Sequence, residues 1–186
     1  MKTSIKIAIT GRIGSGKTTL CNIIKEIGYK VYESDLEVDK LKKTEEIKKK
    51  VKILYLNKLE NLFDETGNIN KKGLGDFLFS SKTELNKLEK LLYPLLEERK
   101  NKFIETNLNE KLIFFDIPLL FEKEMHKKFD KIIFLTVRKE IQKNRVMKRK
   151  GMSKTKLNNV LNKQIYDMSN FKKFIRYWFF WRYKDW

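Results

Sequence analysis

Residues 11–18, near the N-terminus, have the residue types and spacing of a phosphate-binding loop. They read Gly-Arg-Ile-Gly-Ser-Gly-Lys-Thr and fit the pattern G-x-x-x-x-G-K-[ST] at every fixed position. Glycines let main-chain N–H groups curve around an anion, and the start of the following helix adds positive partial charge. The lysine of this pattern reaches the β- and γ-phosphates, and the hydroxyl beside it is a ligand for Mg²⁺. The predicted ATP-binding residues are Gly11, Gly14, Ser15, Gly16, Lys17, Thr18 and Thr19, of which Lys17 is also catalytic and Thr18 also binds metal.

The elements on either side of this loop agree with that interpretation. Ser4 to Thr10 is short, rich in isoleucine and ended by glycine, which predicts a buried strand. Lys17 to Ile27 has the apolar spacing of a helix with one buried face, and Tyr29 to Tyr32 is a second short strand. A strand, loop, helix and strand in this order favour a parallel sheet and disfavour a chance glycine-rich turn.

Two aspartates follow predicted strands, and ligands gather at the carboxyl ends of strands in an open parallel sheet. Asp35 comes after the strand Tyr29–Tyr32. It is either a base or magnesium ligand, or the N-cap of a helix that starts at Leu36. Asp116 ends a strand over Leu112–Phe115. It is either the magnesium-orienting aspartate of a Walker B strand or a buried turn residue.

A basic helix is predicted from Glu140 to about Lys150, and it carries Gln142, Arg145 and Arg149. The two arginines are four residues apart and would share one helix face. Two guanidinium groups on one face suit a lid that closes over a triphosphate and neutralises its charge. The alternative is an ordinary solvated basic face.

The remaining elements complete an α/β pattern with a helical middle. Leu36 to about Leu62 is predicted to be helical, and Lys72 to Arg99 to contain one or two further helices, which Pro94 starts or kinks. Lys131 to Val137 is predicted to be a strand. Lys154 to about Tyr166 is predicted to be a helix, with Ser153 as its N-cap.

Composition excludes several classes of protein. The 186 residues include one cysteine and one histidine, so disulfide frameworks and zinc sites built from these residues are excluded, and Cys21 is interpreted as a packing residue. The formal charge of +18 suits polyanionic partners, but the many dispersed lysines are more simply explained by AT-rich coding. No secretory or membrane-spanning segment is visible, so the cytoplasm is the expected location. No membrane partner and no dedicated nucleic-acid partner are expected, and the sequence gives no oligomeric state.

These motifs, in this order, resemble the dephospho-coenzyme A kinase family. Ile9 to Thr18 is similar to the opening of that family, and Glu33-Ser34-Asp35 is similar to its Asp-Ala-Asp. Pro118-Leu119-Leu120-Phe121-Glu122 matches its most recognisable internal motif. The resemblance extends from about Ile5 to about Lys173 and includes Gln142-x-x-Arg145-x-x-x-Arg149, Gly151-Met152-Ser153 and Gln164.

The resemblance implies transfer of the γ-phosphate of ATP to the ribose 3′-hydroxyl of dephospho-coenzyme A. It implies that Asp35 is the base, that Arg145 and Arg149 contact phosphate, and that Pro118–Glu122 shapes the acceptor pocket. The fold implied is α/β, a three-layer P-loop NTPase type with a central parallel sheet, an inserted helical acceptor-binding subdomain and a helical lid. The expected divisions are a core at about 1–35 and 110–140, the helical subdomain at about 36–109, the lid at about 140–165 and an atypical aromatic tail at 171–186.

The chain also departs from the family pattern. Tyr93-Pro94 stands where the family has His-Pro, and lysines replace arginines near Lys71 and Lys72, which removes a bidentate fork from the expected acceptor contacts. After Lys173 the family continues into a last strand and a closing helix, whereas this chain has an aromatic and basic segment that contains all three tryptophans. This tail is interpreted as aberrant sequence, as a short aromatic helix over the sheet edge, or as an interfacial or nucleic-acid-stacking segment.

Two other functions are compatible with parts of the sequence. A kinase for another metabolite or for a nucleotide would share the loop and differ in the helical middle. A basic nucleic-acid-binding protein would explain the charge and the tail but not the complete loop.

Overall fold

The computed structural model describes residues 4–164, which contain seven α-helices and a four-stranded sheet. They form two compact units: the sheet unit, which contains residues 4–33 and 104–164, and the helical unit, which contains residues 34–103. In chain order the elements are β1 (Ile5–Gly11), α1 (Lys17–Glu26), β2 (Lys30–Glu33), α2 (Ser34–Lys42), α3 (Glu45–Tyr55), α4 (Lys71–Ser80), α5 (Lys82–Thr106), β3 (Leu112–Asp116), a 3₁₀ helix (Met125–Lys128), β4 (Lys131–Leu135), α6 (Lys139–Met147) and α7 (Lys154–Lys163).

The sheet unit contains the four strands in the order β2-β3-β1-β4, with every neighbouring pair parallel. The register places Ile9 of β1 opposite Asp116 of β3, and Gly11 of β1 opposite Leu135 of β4. The carboxyl end of β1 therefore lies between those of β3 and β4. This is the edge at which parallel sheets bind ligands.

Successive residues of β3 are buried, so both faces of the sheet are covered there, which explains why β3 is apolar up to Asp116. Ile9, Phe114 and Leu135 pack on one face with Cys21 and Ile24 of helix α1. On the other face, Phe115 contacts the rings of Tyr32 and Phe129. The buried position of Cys21 agrees with its interpretation as a packing residue.

The helical unit has its own apolar core. Ile47, Val51 and Tyr55 recur every four residues along α3 and are fully buried among leucines from α4 and α5. The phenol of Tyr55 donates a hydrogen bond to the carbonyl oxygen of Glu84, at 2.8 Å. This bond satisfies the one polar group that the side chain brings into the core.

Several predicted element boundaries differ in the structure. The prediction of helix from Leu36 to about Leu62 is correct only in part, because α2 ends at Lys42 and α3 runs only from Glu45 to Tyr55. The break between the two helices contains Thr44. The Thr44 hydroxyl accepts a hydrogen bond from the N–H of Ile47, at 3.4 Å, as the N-cap of α3. Pro94 lies inside α5 and does not start it. None of the helices in residues 4–164 is long and apolar enough to cross a membrane. The predicted aromatic tail lies outside the described residues.

Candidate functional site

The loop between β1 and α1 is shaped by close packing as well as by glycine conformations. A Cβ atom on Gly11 would lie 2.4 Å from the carbonyl oxygen of Leu135, and one on Gly14 would lie 2.7 Å from Cγ2 of Val146. Gly14 also has a φ of 76°, which L side chains rarely adopt. Strand β4 and helix α6 therefore pack directly against the loop, and glycine is required at both positions.

Lys17 lies across this loop. Its ammonium donates a hydrogen bond to the carbonyl oxygen of Gly11, at 2.9 Å. The N–H of Ser15 donates to the carbonyl oxygen of Arg12, at 3.1 Å, and closes a tight turn within the loop. The Ser15 hydroxyl is buried and has no hydrogen-bond partner within residues 4–164. An anion that binds to the loop would lie near the Lys17 ammonium.

Helix α1 presents an open, positive end to the same loop. Gly16 is its N-cap, no side chain caps the first turn, and that turn contains no acidic residue. Thr18 and Thr19 are exposed in that first turn. Because free N–H groups and the helix dipole favour negative charge, this end of α1 suits a phosphate group.

Asp116 is the last residue of β3 and lies beside β1 in the sheet. Its neighbour Ile117 donates a main-chain hydrogen bond to the carbonyl oxygen of Ile9, at 3.0 Å, and so continues the pairing past the end of the strand. Burial raises the pKa of the Cys21 thiol to about 12, and the charge of Asp116 adds to that rise. The Asp116 carboxylate thus lies at the loop edge of the sheet, while the thiol stays protonated and unreactive.

Helix α6 packs against the loop. The side-chain amide of Gln142 donates to the carbonyl oxygen of Ile13, at 2.8 Å. A Cβ atom on Gly16 would lie 3.9 Å from Nη1 of Arg145, which places that guanidinium beside the loop. A second glutamine, Gln164 at the end of α7, accepts a hydrogen bond from the N–H of Ile13, at 2.9 Å. The periodicity and charge of the sequence did not predict these glutamine contacts, because the sequence around a polar helix residue does not indicate its hydrogen-bond partner.

Arg149 does not share a helix with Arg145, so the prediction of two arginines on one helix face is wrong. Helix α6 ends at Met147, and the N–H of Arg149 donates to the carbonyl oxygen of Val146, at 3.0 Å, in a turn. Gly151, with a φ of 76°, continues the turn away from helical geometry. Arg149 is exposed in that turn.

Glu122 is a further acidic side chain of the sheet unit. Both of its carboxylate oxygens are shielded from solvent. Burial raises the pKa of this carboxyl, and the main-chain groups of Glu122 and Phe121 and the charge of Lys17 offset part of the rise. The final residue of the predicted Pro118–Glu122 motif therefore lies within electrostatic range of the loop lysine.

Asp35 belongs to the helical unit. It lies in the first turn of α2, which begins at Ser34, so its alternative role as the N-cap of a helix starting at Leu36 is wrong. Burial lowers the pKa of Lys42, and the carboxylates of Asp39 and Asp35 counteract that change. The Asp35 carboxylate is therefore close enough to Lys42 for their charges to interact.

Within residues 4–164, no three His, Cys, Asp or Glu side chains form a group that could hold a metal ion. A divalent ion at the loop would therefore need phosphate oxygens of a bound nucleotide as ligands. The Thr18 hydroxyl and the Asp116 carboxylate are the side-chain groups that could complete the set. That ligand set fits Mg²⁺, which keeps few protein ligands and is usually bound through carboxylates and substrate phosphates.

A parallel sheet with a glycine-rich loop, a loop lysine and an aspartate on the neighbouring strand defines a P-loop nucleotide-binding protein of the kinase type. A sequence model of the dephospho-CoA kinase family matches residues 5–174. The chain belongs to the dephospho-CoA kinase family, and it is therefore an enzyme, a kinase of coenzyme A biosynthesis.

Individual relatives agree with this assignment. The chain is 33% identical to the dephospho-CoA kinase of Bartonella henselae over 163 residues, which cover 87% of this chain and 81% of the relative. It is 35% identical to that of Clostridium tetani over 165 residues, 87% of this chain and 71% of the relative.

Solved structures agree as well. The crystal structure of TT1252 from Thermus thermophilus is 27% identical, with a TM-score of 0.79, over 92% of this chain and 86% of that one. The dephospho-CoA kinase from Campylobacter jejuni, 23% identical, shares the fold with a TM-score of 0.65 over 94% of this chain and 87% of that one.

Proposed function

We propose that this chain transfers the γ-phosphate of ATP to the ribose 3′-hydroxyl of dephospho-CoA and releases CoA and ADP. The observation that carries the proposal is the complete loop at the carboxyl end of β1, with Lys17 across it, in a member of this family. The reaction needs little covalent chemistry from the protein, so positioning and charge stabilisation are its main tasks.

In this proposal the loop and helix α1 bind the triphosphate. Lys17 leaves the carbonyl oxygen of Gly11 and contacts the β- and γ-phosphate oxygens, where its charge is needed as the bond to the leaving ADP breaks. The residues that would hold Mg²⁺ are Thr18 and Asp116, with Asp35 as a further candidate ligand. When bound, the ion neutralises negative charge on the phosphates.

The remaining roles follow from residue chemistry. Asp35 is the proposed base, which accepts the proton of the attacking hydroxyl. Arg145, whose guanidinium lies beside Gly16, stabilises charge on the transferred phosphoryl group. Arg149 is proposed to contact phosphate from its exposed turn, so it approaches the nucleotide from a separate segment.

The helical unit is the proposed acceptor-binding subdomain, and the segment 140–165 the proposed lid. Lys72 and Gly73, in the segment where the family carries arginines, line an open cleft of about 510 Å³ within this unit. Lysines here offer point charges to an acceptor phosphate without bidentate geometry. The Pro118–Glu122 segment is proposed to shape the acceptor pocket. The cytoplasm remains the predicted location.

A phosphoryl-transfer assay with several acceptors tests the proposal. We expect labelled phosphate to pass from ATP to dephospho-CoA and not to nucleoside monophosphates. Transfer to a nucleoside monophosphate without transfer to dephospho-CoA would contradict the proposed acceptor. The same assay on a chain shortened after Lys173 measures what the aromatic tail contributes to turnover.

Nucleic-acid binding is the alternative outcome suggested by the charge of +18. It would appear as an affinity for random oligonucleotides that falls steeply with salt and does not change when ATP is added. Such binding with no phosphoryl transfer would replace the kinase proposal.

A further inference from the structure

We propose that Gln142 and Gln164 are positioning residues that hold the phosphate-binding loop in its anion-binding shape by bonding both main-chain groups of Ile13. This inference deepens the proposed function and rests on it, because it concerns how the ATP-binding loop is kept ready. The chain has no other glutamine, so both of its glutamines contact one loop residue from different elements.

The two contacts are direct and sheltered. Gln142 is only 6% exposed and donates from Nε2 to the carbonyl oxygen of Ile13, at 2.8 Å. Gln164 is only 7% exposed and accepts at Oε1 from the N–H of Ile13, at 2.9 Å. The main chain fixes which end of each amide faces the loop, because a carbonyl needs a donor and an N–H needs an acceptor.

Each bond fixes a whole peptide plane. The carbonyl of Ile13 and the N–H of Gly14 belong to one planar peptide group, so the bond from Gln142 also sets the direction of the Gly14 N–H. The N–H of Ile13 shares a plane with the carbonyl of Arg12. That carbonyl accepts the internal loop bond from Ser15, at 3.1 Å. The two glutamines therefore control both peptide groups that flank Ile13.

This control matters because the loop binds anions through its N–H groups. Glycine-rich backbone is flexible, and a peptide plane that rotates turns its N–H away from the phosphate. Gln142 also lies one helical turn before Arg145, whose guanidinium borders Gly16. The same helix thus anchors the loop and brings a cation to it.

Amide hydrogen exchange gives a readout that does not depend on nucleotide. In Gln164→Leu the N–H of Ile13 loses its acceptor, so we expect its exchange by NMR to be about 10-fold faster than in the wild type. In Gln164→Glu an acceptor oxygen remains, and exchange should stay close to the wild-type rate. Equal exchange of Ile13 in all three folded proteins would overturn the proposal.

Nucleotide affinity gives the second readout, through the same substitution at both positions. Gln142→Glu replaces a donor with a carboxylate that faces a carbonyl, whereas Gln164→Glu keeps the acceptor that Ile13 requires. Both variants add the same charge, so we expect Gln142→Glu to bind ADP with Mg²⁺ about 10-fold more weakly than Gln164→Glu. Equal affinities in calorimetry would contradict the proposal.

A neutral variant and a kinetic comparison complete the test. Gln142→Met keeps the volume and removes the donor. We expect it to raise KM for ATP and lower kcat, with KM for dephospho-CoA unchanged.

A variant that fails to fold is recognised by circular dichroism, and Gln142→Met then replaces Gln142→Glu in the affinity test. A wild-type chain that binds no ADP would refute the proposed function, while the exchange of Ile13 would still decide on the glutamines.

Discussion

The sheet unit and the helical unit differ in how strictly their packing limits which residue can occupy a given position. In the sheet unit, Gly11 and Gly14 are enclosed so tightly that a single Cβ atom would collide with Leu135 or Val146. In the helical unit, a Cβ atom on Gly75 would meet nothing within 4 Å, and the core consists mainly of aliphatic side chains. Phosphate recognition by main-chain groups therefore leaves a fixed sequence pattern, whereas a helical core leaves only periodicity.

The largest expected effect comes from the loop lysine. Lys17→Ala removes the charge that the proposal places on the transferred phosphate, so we expect kcat to fall by about 10² to 10³-fold. Lys25→Ala is the matched control on the same helix. It removes only an ion pair with Glu33 in which the lysine side chain is 40% exposed, and should leave turnover nearly unchanged. Similar losses in both variants would mean that Lys17 has no special role.

In the helical unit, the largest effect should come from the core. Ile47 is fully buried, and Ile47→Ala should lower the free energy of unfolding by about 2–5 kcal/mol in thermal or denaturant unfolding. Ile53 is 84% exposed on the same helix α3, so Ile53→Ala should change it by less than about 0.5 kcal/mol. Affinity for ADP in folded Ile47→Ala should match the wild type, because the proposed phosphate-binding loop and helix α1 lie in the sheet unit. A large loss of affinity would contradict the separation of stability in the helical unit from nucleotide binding in the sheet unit.

Gly14→Ala tests the enclosure of the loop. The new methyl group would meet Val146 at 2.7 Å with a φ of 76°. We expect the free energy of unfolding to fall by about 1–3 kcal/mol, together with weaker ADP binding. Calorimetric unfolding and an ADP titration measure the two effects, and an unchanged variant would contradict the tight packing of α6 on the loop.

Gly75→Ala should have the opposite sign. Gly75 lies inside helix α4, where alanine is favoured over glycine and the added methyl group meets open space. We expect a gain of about 0.5–1 kcal/mol in the free energy of unfolding. A loss of stability from Gly75→Ala would remove the contrast between the two units.

The smallest effect concerns Glu122 and pH. Burial raises the pKa of this carboxyl in the folded chain above its ordinary value of 4.5, so the folded state binds a proton more tightly than the unfolded state. The contribution of Glu122 to the free energy of unfolding is therefore complete at low pH. It is lost as pH rises from about 4.5 through the raised pKa. Glu122→Gln should therefore gain stability over the wild type across that window and not below it. A difference that is independent of pH would contradict this assignment.

The sequence predicted the parts of the molecule in which main-chain geometry restricts residue type. The loop over Gly11–Thr18, the parallel sheet and the position of Asp116 at a strand end are confirmed. Each depends on a local pattern: glycines at fixed positions, or a short apolar run followed by a polar residue.

The features that were not predicted from the sequence depend on contacts between distant residues or on weak local signals. The end of α6 before Arg149 is set by a turn in which Gly151 takes part, and basic residues continue past it without any change in composition. Thr44 divides two helices by a cap that looks like an ordinary polar residue in a lysine-rich run. The contact of Gln164 with Ile13 joins residues 151 positions apart, which no local pattern encodes.

The most direct test of the account is calorimetric titration of folded wild-type chain and Lys17→Ala with ATP in the presence of Mg²⁺. We predict saturable binding at one site in the wild type and an affinity reduced by at least about 10-fold in Lys17→Ala, since one charge-assisted contact is lost. No measurable binding by the wild type, or equal binding by both proteins, would contradict the claim that this loop binds the phosphates of a nucleotide.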